Sequence, residues 1–404
     1  MVIGAGHAGL AVSACLSEKS IEHVLLERGE VANSWRNERW DSLTLLTPNW
    51  QSRLPGYAYE GDDPDGFMDM PSLIGFIDRY AREIGAPVRT QTTVQSVTVH
   101  DGGYRIETDR EAWHARTVVI ASGACNLPEV PRVTAELPED IFQLTARDYR
   151  NTDQLPPGGV LIVGASASGL QLAEEIRASG RDVCIAVGEH VRLPRRYRGR
   201  DIQWWMHHSG LLDEGIDVVD DLRRVRQLPS PQLTGDRQHQ IFDLNHMSGQ
   251  GIRLFGRLMG VRDSTALFSG SLKNVCALAD LKMKRLLNQL DDWAEETPGA
   301  GPFEPVERFP DTRVDEAPTL SLDLANTGIE TVLWATGFRP DYSWLDVPVM
   351  DRWGLLKHDC GVVESPGMYL VGMPFMRLRK SSFIHGAEDD ARHVTDHLAG
   401  YLNH

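Results

Sequence analysis

Short, wholly apolar runs recur along the chain, most of them closed by glycine, and the segments between them carry helical periodicity. Met1-Val2-Ile3 stops at Gly4, an alanine-rich run from Leu10 to Leu16 follows, and a strand-like run from Glu22 to Leu26 ends in Glu27. The same order returns at Val160-Leu161-Ile162-Val163, with Gly164 after it, a helix over Leu170 to Ala178 and a strand over Asp182 to Val187. Strands apolar at every position are those buried on both faces, as in parallel sheets. Elsewhere Leu73, Phe76, Ile77, Tyr80 and Ile84 recur at helical spacing and predict a packing helix over 72–84. Val94, Val97 and Val99 alternate, and the chain turns at Gly102-Gly103 into Tyr104–Glu107, which predicts a β-meander. Residues 117–123 form a buried strand ending in Ala121-Ser122-Gly123, and 329–334 form another ending in Ala335-Thr336-Gly337. A long helix is expected over 272–293, a loop over 295–318 and a closing helix over about 387–402.

The expected fold is α/β, with two Rossmann-like units of parallel sheet in three layers and a β-meander. Pro156-Pro157-Gly158-Gly159 marks a junction. The expected domains are 1–155, an inserted unit over 156–325, and a return to the first unit over 326–404. The Ala-Thr-Gly at 335–337 echoes the Ala-Ser-Gly at 121–123 and is read as that return.

The 404 residues leave room for two or three domains, and a hydrophobic share of 41% supplies their cores. A net charge of −16 repels phosphate backbones and anionic lipid, so neither nucleic acid nor membrane is an expected partner. No apolar stretch reaches bilayer length and no basic leader precedes one, so the expected compartment is the cytoplasm. Five cysteines without CxxC spacing argue against a disulfide framework, a zinc site or a dithiol centre. His207 and His208 lack further ligands at metal spacing and are read as a packed helix face, with no metal expected.

Gly4-Ala5-Gly6-His7-Ala8-Gly9 sits between strand and helix, where a dinucleotide pyrophosphate meets a helix amino terminus. Glu27, 23 residues after Gly4, is placed for a ribose diol. The second copy reads Gly164-Ala165-Ser166-Ala167-Ser168-Gly169, and Val187 stands where Glu27 stood. A missing acid followed by Arg192, Arg195, Arg196, Arg198 and Arg200 is the pattern for the 2′-phosphate of NADPH. Two cradles in one chain imply hydride transfer between two coenzymes, FAD on the first and NADPH on the second. Trp35, Arg36 and Trp40 are candidate flavin neighbours. Ser122 and Gly123 are placed for close approach to the flavin. His7, Ala8, Arg28, Val94, Ala335, Thr336, Gly337, Ser382 and Phe383 complete the expected cofactor contacts. Lys380, Ser381 and Ser382 are candidates for balancing charge on a reduced flavin.

In Gly4-x-Gly6-x-x-Gly9, Trp35-Arg36, Gly164-x-Ser166-x-Ser168-Gly169, Ala335-Thr336-Gly337-Phe338 and the closing 386–391 segment, the chain resembles the class B flavoprotein monooxygenases. These comprise flavin-containing, N-hydroxylating and Baeyer–Villiger enzymes, and the chain is most similar to their small bacterial flavoprotein oxidoreductases. Two departures stand out. Thr145 takes the histidine position of the linker signature in Phe142 to Arg150, and the first strand is shorter than usual, for which the alternatives are a sequence that starts late and a weaker FAD retention. The resemblance implies an NADPH- and O2-dependent monooxygenase acting on nitrogen or sulfur of a small molecule through a C4a-(hydro)peroxyflavin. It also makes a homodimer plausible. Asn49, with Thr47 and Gln51 beside it, is the candidate hydrogen-bonding group at the reacting centre. An NADPH-dependent flavin reductase or oxidase, which Thr145 favours, and a non-catalytic redox sensor are the alternatives.

Overall fold

The computed structural model describes residues 1–238 and 241–403. Its organising feature is one plan used twice. The first sheet runs His358–Asp359, Val362–Val363, Met368–Leu370, Val118–Ile120, Val2–Ile3, Leu25–Leu26, Val88–Arg89 in spatial order, and is parallel from Met368–Leu370 onward. The second is parallel throughout and runs Phe142–Thr145, Ile329–Trp334, Gly159–Val163, Val183–Ala186, Arg253–Phe255.

Because successive strand residues point to opposite faces, each sheet feeds two cores. Val2, Leu25 and Val119 pack with Leu10, Val12 and the closing-helix residues Val394 and Leu398. Ile3, Leu26, Val118 and Ile120 pack instead with Val97, Tyr104 and Ile106, which come from the three-stranded antiparallel meander Val94–His100, Gly103–Thr108, Ala112–Ala115. The second sheet repeats the division. Val160 and Ile162 meet Leu170, Ala173 and Ile176 of the helix Ala167–Ala178, and Leu161 and Val163 meet Val261, Ala266, Phe268 and Leu322. Those four belong to a second meander, Leu258–Arg262, Thr265–Phe268, Ser321–Asp323.

The predicted helices stand at Met70–Glu83, Leu272–Glu296 and Ala387–Leu402. The expected domain boundaries need correction. Ile329–Trp334 pairs with Gly159–Val163 and Phe142–Thr145, so it belongs to the inserted unit. The two connections between units, Leu127–Pro128 and Phe338–Arg339, pair with each other as an antiparallel ribbon. The return comes after that ribbon, where Asp346 and Trp344 exchange backbone hydrogen bonds with Val97 of the first meander. A strand apolar on both faces fits the centre of either sheet, so its own residues do not choose between them. No helix among the described residues is long and apolar enough to cross a membrane.

Candidate dinucleotide sites

Both cradles are built by the same close contacts. Gly4 has φ +107°, and a Cβ there would stand 2.5 Å from the Ala121 carbonyl oxygen; one on Gly9 would stand 2.1 Å from the Gly4 oxygen. Gly164 has φ +117°, with a hypothetical Cβ 2.2 Å from the Ala335 oxygen, and one on Gly169 would stand 2.1 Å from the Gly164 oxygen. These glycines let each helix begin directly against its sheet. Gly6 differs: no described atom lies within 4 Å of a Cβ built on it, so its side of the turn is open to a ligand. The helices that start after Gly6 and Ser166 have no side-chain cap, which leaves their first N–H groups for an anion.

Glu27 is buried and accepts hydrogen bonds from Ala5 N at 2.8 Å and Gly29 N at 3.1 Å. It ties the end of its strand to the cradle turn and, with two oxygens, keeps acceptor capacity for a ribose. Thr92 N donates to the Glu27 carbonyl, which brings the start of the Val94 strand beside it. Ala8 is buried in the helix's first turn, and Gly123 takes a left-handed φ of +84°. His7 Nε2, Ser122 Oγ and Glu38 Oε2 are buried without a hydrogen-bond partner. Burial lowers the His7 pKa to about 4, so the ring is neutral at neutral pH. Orphaned polar atoms around an uncapped helix start fit a bound dinucleotide. At the second cradle the structure adds Gln232, which the sequence pattern did not single out. It is fully buried, Nε2 donates to the Ala165 carbonyl at 2.7 Å, and Oε1 is unpartnered. Ser168 lies in the first helical turn there, and Ala335 and Gly337 flank Thr336, whose hydroxyl donates to the Glu129 carbonyl.

Several of the residues expected at the coenzymes have partners within the protein. Arg192 is 1% exposed and holds Asp243 at 2.9 Å and Asp280 at 2.6 Å, so it is not free for a coenzyme phosphate. Arg195, 0% exposed, is bound to Asp201 at 2.7 Å and to the Leu46 and Thr234 carbonyls. Arg198 pairs with Asp291. The carboxylates that neutralise Arg192 lie 51 and 88 residues away, which is why a linear reading places it with the phosphate-binding arginines. Arg196 and Arg200 stay exposed. Around the first cradle, Arg36 is exposed and bound to Asp78, and Arg28 pairs with Glu38, which Arg147 also reaches. Trp40 is buried with Tyr149, Leu170 and Ala173 in the inserted unit's core. Trp35 packs partly buried on the first core. Lys380 is bound to Asp213 at 2.6 Å and Asp389 at 2.8 Å, so its charge is already balanced.

The turn Asn49–Gln51 follows the half-buried Thr47. Asn49 Nδ2 donates to the Asp63 carbonyl at 2.9 Å and its Oδ1 has no partner. Gln51 is 1% exposed and neither amide atom is bonded. Ser382 and Phe383 precede His385, whose ring centroid lies 5.5 Å from that of Phe383. The helix Ile202–His208 only partly matches a packed face: Trp205 is buried and His208 stacks on Trp204 at 4.1 Å, while His207 lies against Trp50 at 5.3 Å.

The duplicated cradle is decisive when set beside known proteins. The family model described as pyridine nucleotide-disulphide oxidoreductase matches residues 1–203, and an oxidoreductase described as CzcO-like from Geobacillus kaustophilus is 30% identical over 408 residues, covering 100% of this chain and 98% of the relative. The chain belongs to the pyridine nucleotide-disulphide oxidoreductase family. The indole-3-pyruvate monooxygenase YUCCA1 of Oryza sativa is 27% identical over 204 residues, 49% of this chain and 50% of that one. A flavin-containing monooxygenase from Stenotrophomonas maltophilia shares the fold, with TM-score 0.68 at 16% identity, over 99% of this chain and 98% of the other.

Proposed function

We propose that this protein is a monooxygenase that uses NADPH and O2 to oxygenate a nitrogen or sulfur atom of a small molecule. The observation that carries the reading is the pair of matched cradles, joined by one ribbon, with unpartnered buried polar groups gathered beside the first. The cysteines support oxygen rather than a disulfide as the electron acceptor. All five are free, and burial raises the Cys15 and Cys276 thiols to about 11 and about 12, away from thiolate chemistry.

When bound, FAD reduced by NADPH supplies the oxygen-activating chemistry. The protein binds, orients and keeps the site dry. Gly4, Gly6, Gly9 and the uncapped helix start hold the FAD phosphates, and Glu27 holds the ribose. Gly164, Ser166, Ser168, Gly169 and Gln232 serve the NADPH. Asn49 keeps an acceptor oxygen and one amide hydrogen available at the first site, held in place by Asp63. Excluding water makes each of these hydrogen bonds stronger than it would be in solution.

The test is to give the FAD-loaded protein NADPH and follow NADPH and dissolved O2 together across a panel of amines and sulfides. The expected result is oxygenated product matching the NADPH consumed for at least one of them. Hydrogen peroxide accounting for all NADPH consumed with every compound overturns the proposal in favour of an oxidase.

A further inference from the structure

Beside the first cradle the fold gathers a second set of polar groups that the cradle geometry does not use. Three separate segments bring them together. Gln51 comes from the turn Asn49–Gln51, His207 from the helix Ile202–His208 of the inserted unit, and His385 from the turn Ile384–Gly386 before the closing helix. The strand Arg53–Leu54 packs directly on that last turn. Leu54 and Ile384 share an apolar core with Ala5 and Ala8 of the cradle. The His207 and His385 rings are 6.3 Å apart at centroids, and Trp50 covers His207 at 5.3 Å and His208 at 6.3 Å.

Gln51 and His385 are 1% and 3% exposed, yet both amide atoms of the one and both ring nitrogens of the other lack hydrogen-bond partners, as does His207 Nδ1. Leaving a buried polar group unpaired costs about 1–3 kcal/mol, so five such atoms in one place point to a ligand that pairs them. The charge balance says what kind. Asp213, the carboxylate that acts on both rings, is bound to Lys380. Half-buried Arg53 has no ion-pair partner among the described residues. Among the charged groups acting on the His385 ring, Arg53 is first, ahead of Lys380 and His207, with Asp213 opposing; burial and these cations hold that ring at about 3 and lower His207 too. Both rings are therefore neutral at neutral pH, and each presents one N–H donor.

We propose that Arg53, Gln51, His207 and His385 recognise a carboxylate on the substrate, whose apolar body lies against Trp50. A guanidinium backed by neutral N–H donors suits a planar, singly charged group. This rests on the monooxygenase reading and narrows its substrate class to an organic acid that also bears the oxidisable atom.

The test compares phenylacetate with its near-isostere phenethylamine as probes, by calorimetry on the resting FAD-loaded protein without NADPH. The expected result is at least tenfold tighter binding of phenylacetate. Arg53→Gln is expected to abolish that preference. Gln51→Glu, which sets a carboxylate in the pocket without changing its size, is expected to reverse it toward the amine; this gain of binding cannot come from a misfolded variant. Equal or tighter amine binding by the unaltered protein, or a preference that survives both substitutions, overturns the inference. Binding is read without turnover, so the two proposals fail separately. NADPH-coupled oxygenation with no carboxylate preference sinks only this one, and carboxylate binding with no oxygenation of any compound sinks only the monooxygenase reading.

Discussion

At the scale of single residues, glycines that look alike in the motif do different work. Gly4→Ala places a methyl 2.5 Å from a backbone oxygen at a left-handed φ, so the turn must shift. The expected outcome is a loss of about 1–3 kcal/mol in stability together with loss of bound flavin. Gly6→Ala meets no described protein atom. That variant should unfold in denaturant at the same midpoint as the unaltered apoprotein, while its flavin-to-protein absorbance ratio falls. Arg192 makes the opposite point about charge. Arg192→Gln leaves Asp243 and Asp280 buried without their cation, and removing one partner of a buried ion cluster costs about 3–5 kcal/mol. Thermal melts should show that loss, and the ratio of KM for NADPH to KM for NADH should not move. A selective change in that ratio would restore Arg192 as a phosphate ligand.

At the scale of elements, hydrophobic periodicity located the helices because side-chain spacing alone dictates which face is apolar. The helix Met70–Glu83 buries Leu73, Phe76, Ile77 and Tyr80, as its sequence predicts. Its start is set by Asp69, whose carboxylate accepts from Ser72 N at 2.9 Å. Asp69→Ala should lower the free energy of unfolding by about 1 kcal/mol in denaturant titrations. The Ser72 hydrogen bonds hold the Asp69 carboxyl below its usual range. The cap's contribution is therefore complete above the unfolded-state value and disappears as pH falls through the folded one, so the cost of Asp69→Ala should vanish in strong acid. Elements of two residues, such as Arg196–Tyr197 and Arg200–Asp201, carry no such period and appear only through their partners.

At the scale of the molecule, the buried histidines set the response to acid. Burial holds His7 and His358 at about 4 and His385 at about 3, against about 6.5 in an unfolded chain. Between those values the unfolded state binds more protons, so stability falls as pH drops below about 6.5. Asp390 acts in the other direction. Burial raises it to about 6, so the folded state takes up its proton first and recovers part of the loss. The melting temperature should fall between pH 7 and pH 5 in calorimetry. His358→Gln should make the decline shallower, because the Gly361 N–H then no longer depends on an unprotonated His358 Nδ1. A flat profile over that range would contradict the burial of these rings.

The sequence by itself determined the two cradles, the acid after the first, and the flanking strands and helices. All of these depend on residues near one another in the chain, where turn geometry and side-chain periodicity act directly. Tertiary structure alone decided which sheet claims Ile329–Trp334, because an evenly apolar strand carries no address. It alone neutralised Arg192 with Asp243 and Asp280 and Lys380 with Asp213 and Asp389. It also brought Gln51, His207 and His385 together and set Gln232 on the second cradle. Charge pairing and shared burial are properties of distance in space, and apart from Lys380 with Asp389 those partners stand tens to hundreds of residues apart along the chain.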